Sequence, residues 1–507
     1  MLGSPLSATC VRAIRWTPLF AATALAGCAV GPDYHRPAIA SPAAFIGAPA
    51  VAARSAPKSG DQSLWWSRFG DPLLTSLVAE ALDGNLDIAQ AAARLSQARA
   101  SLRSADAALL PSASIAGSAA AAHQSLDTPL GRLANATPGF DRDGEQYDLG
   151  LGAAWEIDLF GGLRRGQEAV RAEYQASQAG VAAARLSVAA QVADSYIVIR
   201  TLQARLAVAQ DQSRTQQRLV DIVRLQYQKG VAAELQLRQA EGALAQVQAG
   251  IPVLQAGLEA AMNALDVLVG TQPGTHRAAL LALAPIPAAP ALSDMGTPAD
   301  LLRRRPDLIV AERRLAASNA RVGVAVAEYF PKFSLSGLIG TATTAAGSLF
   351  SGSATQAQGA LGLRWRLFDF GRVEADINAA KGANAEALAA YRLAVLRASE
   401  DVENAFSALL QREAQARTLT GGETALVRAQ TASLAAYKGG VVSLIEVLDA
   451  DRRLLDTRDA RVQAQSEATR AAVASYRALG GGWSASMASA KQASGLLAGL
   501  SESIARP

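Results

Sequence analysis

The chain has 507 residues, more than one ordinary globular core needs. Half of them are hydrophobic but only 5% are aromatic, so the apolar content is mostly Ala, Leu and Val, which suits long, closely packed helices and not aromatic-filled cores. The formal charge is only +4, and Lys and Arg are interleaved with Asp and Glu, which gives solvated helix faces and no nucleic-acid patch.

The N-terminus carries Arg12 and Arg15, then an apolar run from Trp16 to Ala26 that is too short to span a bilayer. Leu25-Ala26-Gly27-Cys28 follows and resembles a bacterial lipobox. That resemblance makes residues 1–27 a signal peptide and Cys28 the lipid-bearing first residue of the mature chain. Ordinary cleavage after Ala26 is the alternative. Residue 29 is Ala, not Asp, which resembles lipoproteins sorted to the outer membrane. Cleavage would remove Cys10 and two arginines, taking the charge from +4 to +2 and leaving no disulfide or thiol chemistry. No cofactor is expected beyond the lipid on Cys28. Residues 28–60 are rich in Pro, Ala and Ser and read as an extended tether.

The remainder is written twice. YQKGVAAELQLRQAEGAL at Tyr227 recurs as YKGGVVSLIEVLDADRRL at Tyr437, and WEIDLFGGLRR at Trp155 recurs as WRLFDFGRVEA at Trp365, each 210 positions on. Asp87 and Pro111 recur as Asp307 and Pro331, 220 positions on. Ordered landmarks of this kind imply a tandem duplication, with repeats at 61–290 and 291–482 and a flexible tail at 483–507. Each repeat opens with a helix, Leu86 to Leu109 and then Asp300 to Tyr329, with RRRPDL near the second start. Two strand-like segments follow. A long helical stretch comes next, Leu163 to Gln228 and Arg372 to Tyr437, then a Gly-containing turn and a returning helix.

The strands are the informative part. From Tyr147 to Leu159, Tyr, Leu, Leu, Ala, Trp, Ile and Leu alternate with Asp, Gly, Gly, Ala, Glu and Asp. In the second repeat Leu361, Leu363, Trp365 and Leu367 alternate with Gly362, Arg364 and Arg366. Ser112 to Ala120 and Lys332 to Gly340 read as their partners. An apolar and a polar face over about ten residues is the pattern of a transmembrane barrel strand; a half-buried soluble hairpin is the alternative. Four strands cannot close a barrel, and open edges are not tolerated in hydrocarbon, so membrane-spanning strands require several chains to share one barrel. A helix of 66 residues would be about 100 Å long, and no mature segment has eighteen consecutive apolar residues, so these helices are expected to stand in water.

Together the lipobox, WWSRFGDPLL at Trp65, NLDIAQAAARLSQARA at Asn85, RRPDLIVAERRLAASNARVGVAVAEYFPKFSL at Arg304, WRLFDFGR at Trp365 and YKGGVVSLIEVLDADRRLL at Tyr437 resemble the TolC/OprM-type outer-membrane efflux channels, in their NodT-like lipoprotein branch. The resemblance covers about Asp61 to Gly482. It implies an α+β membrane protein in a homotrimer, with a shared twelve-stranded β-barrel continued by a periplasmic α-helical barrel. The implied function is a passive outer-membrane exit duct for small molecules such as drugs and toxic organic compounds. The implied partners are outer-membrane lipid, a periplasmic adaptor (membrane fusion protein) and an inner-membrane pump of the resistance-nodulation-division type, with no nucleic acid. The family's acidic entrance ring matches Glu446 and Asp449, whose alternative reading is surface acids paired with Arg452 or Arg453. A gate network would use Tyr437, Arg452 and Arg453. Gly230, Gly439 and Gly440 would shape the turns that meet the adaptor. An arginine used by some members falls at Val442, which puts that interhelical lock in doubt.

His35, His123 and His276 are far apart and lack metal-ligand spacing, so they read as isolated surface histidines. There is no P-loop, GxSxG or complete GxGxxG, and the chain is not read as an enzyme. The competing readings are an outer-membrane channel of a type I protein secretion system and a lipid-anchored periplasmic coiled-coil adaptor.

Overall fold

The computed structural model describes residues 29–54, 62–292 and 295–481. The signal peptide, Cys28, the last part of the tether and the tail from 483 lie outside the described residues. In chain order the elements are α1 (Ala48–Ala52), α2 (Pro72–Gly84), α3 (Leu86–Ala107), β1 (Ser112–His123), α4 (Pro129–Asn135), β2 (Asp143–Ile157), α5 (Gly162–Gln228), α6 (Glu234–Val269), α7 (Arg277–Leu281), α8 (Pro298–Arg304), α9 (Pro306–Ala327), β3 (Lys332–Thr343), β4 (Thr355–Arg364), α10 (Arg372–Lys438) and α11 (Leu444–Ala478). They fall into two compact units. One holds Ser96–Gln175 and Glu312–Ala389 with the chain before Ala38; the other holds Ala38–Leu95, Ala176–Ala311 and the chain from Ala390. Each unit draws on both repeats, so compactness does not follow the repeat boundary.

In the first unit a four-stranded antiparallel sheet runs β1-β2-β3-β4. The β1–β2 hairpin pairs Ser112 with Ala154, and β3–β4 pairs Lys332 with Arg364. Applying the two repeat offsets turns the first pair into the second, so the hairpins share one register. The repeats join where Leu151 meets Ile339 and Trp155 meets Leu335. Period-two alternation then collects Ile115, Leu151, Leu335, Ile339, Leu361 and Leu363 on one face, and all six are exposed in the single chain. Ser118, Asp148, Ser334, Ser336, Gln356 and Gln358 occupy the other. Tyr147 stands at one end of the apolar face. Trp155 and Trp365 stand at the other, donating from Nε1 to the carbonyls of Leu109 and Tyr329 at 3.0 Å each. The sequence pattern carries the fourth strand on to Leu367, but β4 ends at Arg364. It lies on an open edge, where no neighbour continues the ladder.

The extended N-terminal segment is fastened to this unit. Val30 N–H donates to the Phe160 carbonyl at 3.0 Å. Buried Arg165 reaches Asp33 at 2.7 Å and the Val30 carbonyl at 3.1 Å. Tyr34 donates to Glu312 at 2.6 Å. Gly31 has φ +91°, and a Cβ there would sit 2.4 Å from the Gly323 Cα, so only glycine allows this approach.

The second unit is helical. Its core stacks Trp65 on Tyr476, with Phe69 and Trp66 edge-on. Here the tether segment packs too: Phe45 lies against Phe406, Val51 is fully buried, and Arg54 pairs with Glu413. The single helix read over Asp300–Tyr329 is two helices. Pro306 pushes Arg305 into an extended conformation (φ −87°, ψ 116°), which ends α8, and α9 starts at the proline. Arg305 then ties the junction to Asp307 at 2.7 Å and to Asp401 of α10 at 3.0 Å, which is the structural task of the RRPDL motif. One stretch of α5 passes as a membrane span by length and composition, but 56% of that window is buried in the chain, as in a core helix.

Candidate functional site: the ends of the paired helices

Two turns join the helix pairs in the second unit. At the first, Gly230 has φ +74°, its N–H donates to the Tyr227 carbonyl, and the Val231 N–H donates to the Gln226 carbonyl. At the second, Gly440 has φ +75°, with the same bonds from Gly440 to Tyr437 and from Val441 to Ala436. Both are Schellman closures, which need a residue that tolerates left-handed backbone. Gly439 does not: its φ is not positive, its counterpart is Lys229, and its N–H makes an ordinary helical bond to Ala435. Of the three turn glycines, the conformation requires two.

The next helices start alike. Glu446 of α11 accepts from the Ser443 hydroxyl at 2.7 Å and from the Ser443 N–H. Gln236 of α6 accepts from the Ala233 N–H at 3.1 Å. An amide can therefore close the turn, and the charge at 446 is not required for it. The Ser443 hydroxyl and N–H hold the Glu446 carboxyl below the usual carboxylate range. Asp449 pairs with Arg453 at 2.8 Å along the helix. Within one chain, then, Glu446 caps its helix and Asp449 has a partner, which is the surface-acid arrangement. The corresponding positions of the first repeat are Gln236 and Gln239, so these two positions carry carboxylates in one repeat and amides in the other.

Tyr437 is buried and donates to Gln226 Oε1 at 2.8 Å, across to the first pair. Burial raises its phenol pKa. It belongs to an apolar cluster of Leu219, Val220, Val223, Leu237, Leu444 and Val447, against which Val442 packs. The position where an arginine lock was in doubt thus contributes apolar contact. Tyr437 makes its hydrogen bond to Gln226, not to Arg452 or Arg453. Arg452 lines a groove of about 900 Å³ with Arg205, Gln212, Asp449, Asp456 and Asp459. Arg205 pairs with Asp459 at 2.6 Å, and Arg458 with Glu423 at 3.1 Å, so ion pairs also bind α11 to α5 and α10.

Two features escaped sequence reading. His276 is not an isolated surface residue: its side chain is 15% exposed, and its ring nitrogens meet Asp266 at 2.7 Å and Glu80 at 3.1 Å. Burial alone would lower its pKa, but the bonds to Asp266 and Glu80 outweigh burial and raise it. Arg200 is buried and donates to Gln203, the Leu280 and Ala282 carbonyls and Tyr196. Neither residue has a recognisable motif, because Glu80 and the Leu280 and Ala282 carbonyls come from distant segments. Among the described residues no group of three or more His, Cys, Asp or Glu could hold a metal.

Comparison with known proteins agrees with this architecture. The chain is 30% identical over 459 residues to nodulation protein T of Rhizobium leguminosarum bv. trifolii, covering 90% of this chain and 95% of the relative. It is 30% identical over 475 residues to the cation efflux system protein CusC of Escherichia coli O6:H1, covering 92% and 98%. The solved structure of the outer-membrane channel OprN superposes with a TM-score of 0.82 at 36% identity, covering 90% of this chain and all of that one. The family described as outer membrane efflux protein matches residues 77–271 and 297–481, one match in each repeat, and the chain belongs to that family.

Proposed function

We propose that the chain is the outer-membrane exit duct of a tripartite efflux system, built as a homotrimer that takes small toxic organic molecules from a periplasmic adaptor and inner-membrane pump. The observation that carries this reading is the sheet: an exposed apolar face with two open edges, β1 and β4. Lipid suits the face, and a second copy suits the edges. The internal repeat supplies the template. If β4 of one protomer meets β1 of the next as β2 meets β3, then Leu361 faces Ala119 of the partner subunit and Trp365 faces Ile115 of the partner subunit. β4 would then extend to Leu367, as the alternation indicates. Phe160 stacks on Phe330 at 4.7 Å, and exposed Phe370 is its repeat counterpart, free to pack on the next subunit. Passage through such a duct breaks no bond, so the chain is no enzyme and the energy comes from the pump.

Ala119→Cys with Leu361→Cys tests the assembly. Facing residues in an antiparallel pair have Cα atoms about 4.5–5.5 Å apart, within disulfide range. Oxidised outer membranes should yield a covalent trimer from the double variant and monomer from either single one. A double variant that stays monomeric would refute the shared sheet. Loss of dye export on deleting the gene, restored by re-expression, tests the efflux role.

A further inference from the structure

Asp451 of α11 lies two residues beyond Asp449 but points inward, with only 2% of its surface exposed. Its Oδ2 accepts from Gln216 Nε2 of α5 at 3.2 Å. The partner oxygens of these two groups, Asp451 Oδ1 and Gln216 Oε1, are both buried and both lack a donor. An ionised carboxylate supplies acceptors only, so in that state neither atom can satisfy the other. One proton on Oδ1 resolves both: it donates to Gln216 Oε1 while Gln216 Nε2 donates to Oδ2, closing the two-bonded ring of a carboxylic acid–amide pair.

The surroundings favour the neutral form. α10 offers Gln430, an amide that helps the ionised form, but burial outweighs it and pushes the carboxyl up. Charged groups nearby are engaged elsewhere. Arg458, about two turns along α11, is held by Asp211 of α5 and Glu423 of α10. Glu241 of α6 is held by Arg224 and Arg238. Asp449 is held by Arg453, and Arg452 lines the groove that Gln216 also borders, with Asp449, Asp456 and Asp459 along the same wall.

We propose that Asp451 stands as the neutral acid, forms a double hydrogen bond with Gln216, and so positions α11, with Glu446 and Asp449 at its start, against α5. The positioning role rests on reading these helix ends as the duct entrance. Ionisation removes the donor and sets a buried negative charge against an unpaired carbonyl, so the clasp opens at alkaline pH. With one linked proton, the ratio of open to closed entrance rises by up to about tenfold per pH unit.

The test uses the purified full chain. The infrared difference between wild type and Asp451→Asn at neutral pH should show the carbonyl stretch of a protonated acid. That band should shift in Gln216→Met and vanish on alkalinisation. Gln216→Asn gives the same readout should Gln216→Met fail to fold. In planar bilayers, wild-type conductance should climb with pH, by about tenfold per unit at most. Asp451→Asn, whose amide makes the same two bonds without a titrating proton, should stay flat. Absence of the acid band, or a band indifferent to Gln216, would overturn the clasp. A conducting wild type with no pH dependence would overturn the positioning role. A wild type that conducts at no pH would fail the duct reading, while the infrared band would still decide the clasp.

Discussion

Leu151→Arg puts the membrane assignment of the sheet to a quantitative test. The apolar face of β2 runs from Tyr147 to Ile157, ten steps of about 3.3 Å, or about 33 Å along the strand. Tilted by about 40°, that gives a band about 25 Å tall, the height of an outer-membrane barrel's apolar belt. Leu151 lies four steps from one end and six from the other, close to the midplane, and it is 47% exposed in the single chain. An arginine there costs about 2–4 kcal/mol per chain, so a trimer loses about 6–12 kcal/mol. Ser336→Arg, on the opposite face and opposite Ala154, should cost little, because the lumen is wet. The assay is urea unfolding from lipid vesicles, followed by tryptophan fluorescence. Equal effects of the two variants, or none from Leu151→Arg, would refute the assignment of the apolar face to lipid.

Other expectations follow from the helical unit. Glu446→Gln keeps the cap, as Gln236 does in the first repeat, so melting should be unchanged while cation selectivity in planar bilayers falls; unchanged selectivity would remove Glu446 from the entrance. Arg200→Met leaves the Ala282 carbonyl without its donor, while Gln203 still donates to the Leu280 carbonyl, so it should cost about 1–3 kcal/mol and lower the melting temperature measured by circular dichroism. His276 has a raised folded pKa, so its stabilisation is full below the unfolded value of about 6.5 and is lost as pH rises through the folded value. Thermal melts of wild type should therefore fall across that window, and those of His276→Gln should be flatter.

Much of the fold is legible because its signals are local and repeated. Period two located both hairpins, and small-residue helical runs gave the 67-residue helices α5 and α10 within a residue of each end. The difference at β4 has a physical reason: the alternation continues through Trp365 and Leu367, but a strand needs a neighbour to bond. The Arg305 break was misread because Pro306 was placed in the first turn of an existing helix, although it begins a new one. The reading of Glu446 and Asp449 as an entrance ring rests on resemblance alone, since a carboxylate three residues after a serine looks the same whether it caps a helix or faces a pore. His276, Arg200 and Asp451 were illegible, because burial depends on segments far away in the chain.

The duplication has one consequence at the helix ends. Fusing two hairpins into one polypeptide frees each copy to drift, and here one carries amides at the two positions where the other carries carboxylates. In a trimer, six geometrically similar tips then alternate between amides and carboxylates at these positions around the ring. A single codon change then alters every second tip, which a ring of six identical chains could not do. Evolution can thus retune the carboxylate tips while the amide ones go on holding the frame.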